Sequence, residues 1–329
     1  MQDWPSRAIA QFSYSWAPST LTSYNNCIKK LEQFCYDGNY HFPPMSSCVL
    51  AKFLCQCADG SARPQSILNT MQAALGHMYN AYNLDNLAAS PDIKRLLIAL
   101  VKSGTTAPRK RSTVMPTDSF AVLFRSWPEN KILSMKDLRL KCVTLLSLYL
   151  MLRPSDIAPK SVLFDPSDHS VQNNMFTTDH VTFHDDGSAT FMFLGVKNDL
   201  HRSGFKITLQ PHSDHMLDGV SAIRCYIDRT QSIRQMCNSN AVFLSLVPPY
   251  HSLSASAIAG ILNNAIQLAG LKDKGYSAKS FRPTGATIAV SQSVDPKIVQ
   301  QVGRWKTTDI FYEHYVHSKP PNNFSDCIL

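Results

Sequence analysis

The sequence predicts a mostly helical α+β protein: a helical amino-terminal domain at 1–105, a basic linker at 106–116, and a mixed α/β domain at 117–329 with a small antiparallel sheet. Three observations predict it. Apolar residues recur at three- and four-residue steps through the first hundred positions, with almost no strict alternation. The period disappears across 102–116, where Ser, Gly, Thr, Pro and basic residues take over. Beyond that stretch, short alternating runs appear among the helical ones.

In order, Ser19 or Thr20 after Pro18 can cap a helix whose buried stripe is Leu21, Tyr24, Ile28, Leu31, Phe34 and Cys35. Helices over 47–57, 64–81 and 91–101 follow, completing a four- or five-helix bundle. After the linker, 117–127 and 138–152 read as helices, the second almost wholly apolar and therefore central and buried. Runs at 180–184 and 189–194 flank Asp185-Asp186-Gly187, a hairpin turn signal, and 204–209 supplies a third strand. Helices over 218–233, 254–269, 285–292, 296–302 and 308–317 close the chain.

With 329 residues, 44% apolar and 17% charged, the chain can bury real cores, which excludes disorder as its main state. The densest apolar run, 142–152, is far too short to cross a membrane. Asp3, Trp4 and Pro5 stand where a secretory leader would have a basic start and an apolar block, so secretion is not expected. The nine cysteines are expected to be reduced thiols, most of them buried as small apolar residues. The net charge is +8 and residues 1–112 carry eleven Lys/Arg against six Asp/Glu, so a polyanion is a reasonable partner. Arg109, Lys110 and Arg111 read equally well as a solvated tether and as a phosphate-contacting strap.

The residues that can carry chemistry are few. Arg153 follows the buried helix, in Arg153-x-x-Asp156, and by itself could simply snorkel from a helix end. Lys197 follows a hairpin strand, in Gly195-Val-Lys197-Asn-Asp199. Lys279-x-x-Arg282 lies beside a late helix start, in Phe281-Arg-Pro-Thr-Gly-Ala-Thr287, and Gly303-Arg-Trp305 precedes Tyr312 and Tyr315. Taken together and in this order, these motifs resemble the tyrosine recombinase (phage integrase) family. Trp16-Ala-Pro-Ser-Thr-Leu-Thr-Ser-Tyr24 is similar to the first helix of that family's core-binding domain, so the likeness covers nearly the whole chain. The boxes at 281–287 and 294–305 are most similar to eukaryotic mobile-element members, DIRS-like and Crypton-like.

The resemblance implies a helical core-binding domain and a catalytic domain that clamp double-stranded DNA, with the linker crossing the duplex. It implies site-specific cleavage and rejoining through a covalent 3′-phosphotyrosine, a homo-tetramer on paired DNA sites, and no cofactor, metal or membrane. A tyrosine attacking a phosphodiester builds charge on the non-bridging oxygens, which two guanidiniums can hold with fixed donors; Arg153 and Arg282 take that role. Lys197 is the general acid for the leaving 5′ oxygen, with Arg202, Lys206 and Lys160 as competitors. Lys279 stands where histidine is commonest and adds charge or accepts the tyrosine proton. Trp305 donates its indole N–H to phosphate, Arg304 and Lys306 contact phosphates, and Asp156 orients Arg153. Tyr315, ten residues after Trp305, is the preferred nucleophile over Tyr312, whose bland reading is core packing. The alternatives are a recombinase-derived DNA-binding protein without cleavage and a type IB topoisomerase-like activity.

Overall fold

The computed structural model describes residues 18–59, 61, 64–103, 114–158, 176–194, 204–308 and 311–312. The fold is α+β and mostly α, with one three-stranded antiparallel sheet, and the chain divides into two compact units near residue 110.

The first unit holds α1 (Pro18–Asp37), α2 (Ser47–Asp59), α3 (Pro64–Ala81) and α4 (Pro91–Ser103). Proline opens three of these helices, at positions whose missing N–H has no intrahelical partner to lose. Their apolar stripes meet in one core around Leu31, Leu50, Leu54, Leu75 and Tyr79. The Tyr79 hydroxyl is the polar tip in that core and donates to the Pro44 carbonyl at 2.7 Å; burial pushes its pKa up to about 12.

The second unit is built on α6 (Met135–Tyr149), which follows α5 (Asp118–Arg125) and starts where the Ser134 hydroxyl accepts the Asp137 N–H at 3.1 Å. Residues on every side of α6 are buried, as its continuous apolar run predicts. It packs against α8 (Gly219–Arg229), α10 (Ala255–Leu268) and α11 (Phe281–Ser291). Between these lie the four-residue α7 (Pro154–Ile157) and the sheet of β1 (Val181–Phe183), β2 (Ala189–Phe193) and β3 (Phe205–Leu209). The strands lie in sequence order, with Val181 opposite Phe191 and Phe193 opposite Phe205. Ala189, Phe191 and Phe193 alternate inward to the core. Short α9 (Gln231–Cys237) and α12 (Pro296–Gly303) complete the set.

Three segments differ from the sequence reading. The helix expected over 218–233 breaks at Thr230, whose hydroxyl donates to the Tyr226 and Ile227 carbonyls and competes with the backbone ladder. The helix expected at 285–292 begins at Phe281, because Pro283 sits in its first turn, where a missing N–H costs no bond. The helix expected to run to Leu152 ends at Tyr149, for a reason that belongs to the site below. Among the described residues all cysteines are free; Cys35 and Cys142 are buried, Cys48 is exposed and the others lie between, so fewer serve as core residues than expected. No described helix is long and apolar enough to cross a membrane.

Candidate functional site

Helix α6 closes in a left-handed turn. The Leu150 N–H donates to the Leu146 carbonyl at 3.0 Å and the Leu152 N–H to the Ser147 carbonyl at 3.2 Å, with Met151 between them at φ 49°. Glycine usually takes such a position; here a buried methionine does, and its side chain enters a small cluster with Ala286, Val299, Trp305 and Phe311. Three residues therefore separate the helix from Arg153, which becomes the cap of α7. The Arg153 N–H donates to Asp156 Oδ2 at 2.9 Å, and the Asp156 N–H returns a bond to the Arg153 carbonyl at 2.8 Å. The Arg-x-x-Asp spacing is thus a reciprocal cap of a one-turn helix. Asp156 holds Arg153 by its backbone, while the Arg153 side chain is half-buried.

Arg282 enters from α11 and is only 3% exposed. Its Nη1 donates to the Met151 carbonyl at 2.6 Å and its Nη2 to the Gly303 carbonyl. These carbonyls lie at the carboxyl ends of α6 and α12, so two helix dipoles present their negative poles to one guanidinium. The same guanidinium lies over the Trp305 ring, 4.1 Å from its centroid. The rest of the box positions this arginine. Gly285 passes so close to α6 that a Cβ there would overlap the Leu148 carbonyl, and the Thr284 hydroxyl accepts the Met115 N–H at 3.0 Å.

Helix α12 ends in a second left-handed turn, at Arg304 with φ 59°. The Arg304 N–H donates to Gln301 and the Trp305 N–H to Gln300, which swings Trp305 under the helix end. A Cβ on Gly303 would overlap the Trp305 ring, so glycine is required there. Arg304 turns inward rather than toward solvent. Its side chain is 6% exposed and its Nη2 meets Asp156 Oδ2 at 2.8 Å. Burial pulls this guanidinium below its ordinary pKa; Asp156 opposes the shift and the charge of Arg153 adds to it.

One site therefore brings together Arg153, Asp156, Arg282, Arg304 and Trp305, contributed by segments about 130 and 20 residues apart in sequence. Lys279, on a 3-10 turn at Ala278–Ser280, is exposed, as is Lys306. Tyr312 is exposed at 46%, and the aromatic residue of its segment that packs is Phe311, 5.0 Å from the Trp305 ring. Lys206 lies exposed on β3. Lys197, Tyr315, Arg109, Lys110 and Arg111 lie outside the described residues. Sequence reasoning missed Met151, which bears no local sign of its left-handed backbone, and Phe311. It also quoted Thr284 and Gly285 without giving them a role. Among the described residues no group of three or more His, Cys, Asp or Glu is placed to hold a metal ion.

No protein-family model matches the sequence, and no curated protein matches it significantly. Solved structures do resemble it. The XerH site-specific recombinase bound to difH substrate, in a pre-cleavage complex, has a TM-score of 0.58 at 12% identity, covering 93% of this chain and 78% of that one. The Tn1549 transposon integrase in complex with transposon right end DNA has a TM-score of 0.55 at 10% identity, covering 95% and 93%. A lambda integrase dimer bound to a COC′ core site has a TM-score of 0.52 at 14% identity, covering 95% and 94%. The fold of this chain is the tyrosine recombinase fold.

Proposed function

We propose that the protein is a DNA recombinase that cuts and rejoins strands through a tyrosine. The observation that carries this reading is the Arg282 guanidinium, held between the Met151 and Gly303 carbonyls and stacked on Trp305, so that the sequence motifs at 151–156, 282–286 and 303–305 meet in one place. The tyrosine hydroxyl gives its proton to solvent as its oxygen attacks phosphorus, the bond from phosphorus to the 5′ oxygen breaks, and a proton from Lys197 ends on that oxygen. Arg153 and Arg282 hold the non-bridging oxygens, Trp305 packs the pocket and donates its indole N–H, and Lys279 adds charge at its rim. A 5′ hydroxyl then attacks the 3′-phosphotyrosine, restoring both the strand and the tyrosine. The bond energy is conserved in the covalent intermediate, so no nucleotide cofactor is needed.

In this reading residues 1–105 form a core-binding domain, 106–116 a linker whose Arg109, Lys110 and Arg111 contact phosphates, and 117–329 the catalytic domain. The active form is a tetramer on two paired duplexes, working in the nucleus or cytoplasm, and the boxes at 281–287 and 294–305 ally it with eukaryotic mobile elements. Binding to duplex DNA should weaken steeply with salt, since phosphate contacts dominate such affinity.

The test is covalent trapping on a nicked duplex, chosen from a random pool by binding to the protein. Native protein is expected to form a denaturant-stable adduct at the 3′ phosphate that disappears in Tyr315→Phe and persists in Tyr312→Phe. The reverse pattern keeps the enzyme and moves the nucleophile to Tyr312, whose exposure suits it. A second reading, a DNA-binding protein without cleavage, is favoured by the engagement of Arg282 with backbone carbonyls; binding without any adduct from native protein would establish it. Relaxation of supercoiled plasmid by monomers would mark a topoisomerase-like enzyme instead.

A further inference from the structure

The Arg304 side chain is buried on Asp156 rather than spread on the surface. Besides its bond to Asp156, its Nε and Nη1 are buried with no hydrogen-bond partner among the described residues. The guanidinium carbon lies 5.3 Å from the centroid of the Phe193 ring and 5.6 Å from that of Phe205. Phe193 ends β2, Phe205 begins β3, and the two face each other across the sheet. One side chain therefore ties the turn after Arg153 to the base of the β2–β3 hairpin, while its own backbone adjoins the Gly303 carbonyl and Trp305 at Arg282. An ion pair buried with spare donors is a poor stabiliser, so its worth lies in the geometry it fixes.

We propose that Arg304, paired with Asp156, is a positioning residue for protonation of the leaving 5′ oxygen. It clamps both ends of the chain stretch that carries Lys197 to the segments that carry the phosphate-holding arginines. Lys197 itself lies outside the described residues; the clamp acts on Phe193 and Phe205. The proposal rests on the strand-cleavage reading above.

The experiment uses two nicked duplexes of one sequence that differ in a single atom, oxygen or sulfur, at the scissile 5′ bridging position. In both, the bond from tyrosine oxygen to phosphorus forms and the bond to the 5′ atom breaks. Oxygen needs a proton to leave; sulfur leaves as thiolate. With oxygen, Arg304→Met is expected to slow adduct formation about 100-fold, the scale of a lost general acid; with sulfur the rate returns close to native. Lys197→Ala should show the same selectivity, and adding Arg304→Met to it should cost nothing further. The paired variant Asp156→Asn/Arg304→Met removes both buried charges and keeps an oxygen for the Arg153 amide, which separates positioning from misfolding; it should match Arg304→Met. Equal losses with oxygen and sulfur overturn the proposal and leave the cleavage reading standing. Absence of adduct from native protein on both duplexes overturns that reading, and the proposal with it.

Discussion

The two units bury different things. Among the described residues, every buried charged or polar side chain lies in the second unit: Lys141, Asp156, Arg234, Arg282 and others, all beyond residue 140. Among the described residues the first unit closes over leucines, methionines and Phe53, with Tyr24 and Tyr79 as its buried residues that carry a hydroxyl. Burying a charge costs far more than burying a leucine gains, and is tolerated where partners compensate it. Arg234 is held by the Ala241 and Val242 carbonyls and by Thr230, and Lys141 by Asn130 at 2.8 Å. The first unit is a platform whose sequence needs only the right periodicity. The second has accepted costly groups in order to hold cations at fixed places.

That contrast can be broken at its strongest point by Arg282→Ala. If Arg282 works on phosphate, adduct formation should fall by at least about 100-fold, the scale of losing a donor to a developing oxyanion, with DNA binding retained; trapping kinetics beside a binding gel would read it. The platform should respond in the opposite way. Leu54→Ala is expected to cost about 2–5 kcal/mol of unfolding free energy, by denaturant titration, while adduct formation per folded molecule stays near native.

A finer test concerns Lys141, whose pKa burial pulls below the ordinary lysine value. The unfolded chain then keeps this proton to higher pH than the folded chain does. Stability should therefore rise with pH through the window that ends near the ordinary value of about 10.4. In Lys141→Met that component is expected to vanish from the difference between variant and native denaturation curves as pH is raised. The smallest effect belongs to the platform: Tyr79→Phe removes one buried hydrogen bond and should cost about 0.5–1.5 kcal/mol, measured in the same titration.

What the sequence disclosed follows the same divide. In the first unit the periodic stripe is the structure, and the helix read over 64–81 is α3 to the residue. The Asp185-Asp186-Gly187 turn and the three strands are equally legible, because turn chemistry and alternation are local signals. The partners of the buried cations are another matter. Asp156 and Arg304 lie 148 positions apart, and nothing near either one announces the other. Arg304 read as a phosphate contact beside Trp305; its inward turn depends on a left-handed backbone that its own side chain does not favour. Met151 hid its role for the same reason. The motif order named residues that the fold gathers in one place, and only long-range packing says which groups each guanidinium meets there.

The small sheet has a consequence of its own. Among the described residues β1 and β3 are its two edges. One edge is three residues long, and the other carries Lys206 on an exposed position opposite Met192. Short or charged edges make poor templates for a strand from another chain. Copies brought to high local concentration would therefore not zip their sheet edges together, and crowding would not turn into aggregation.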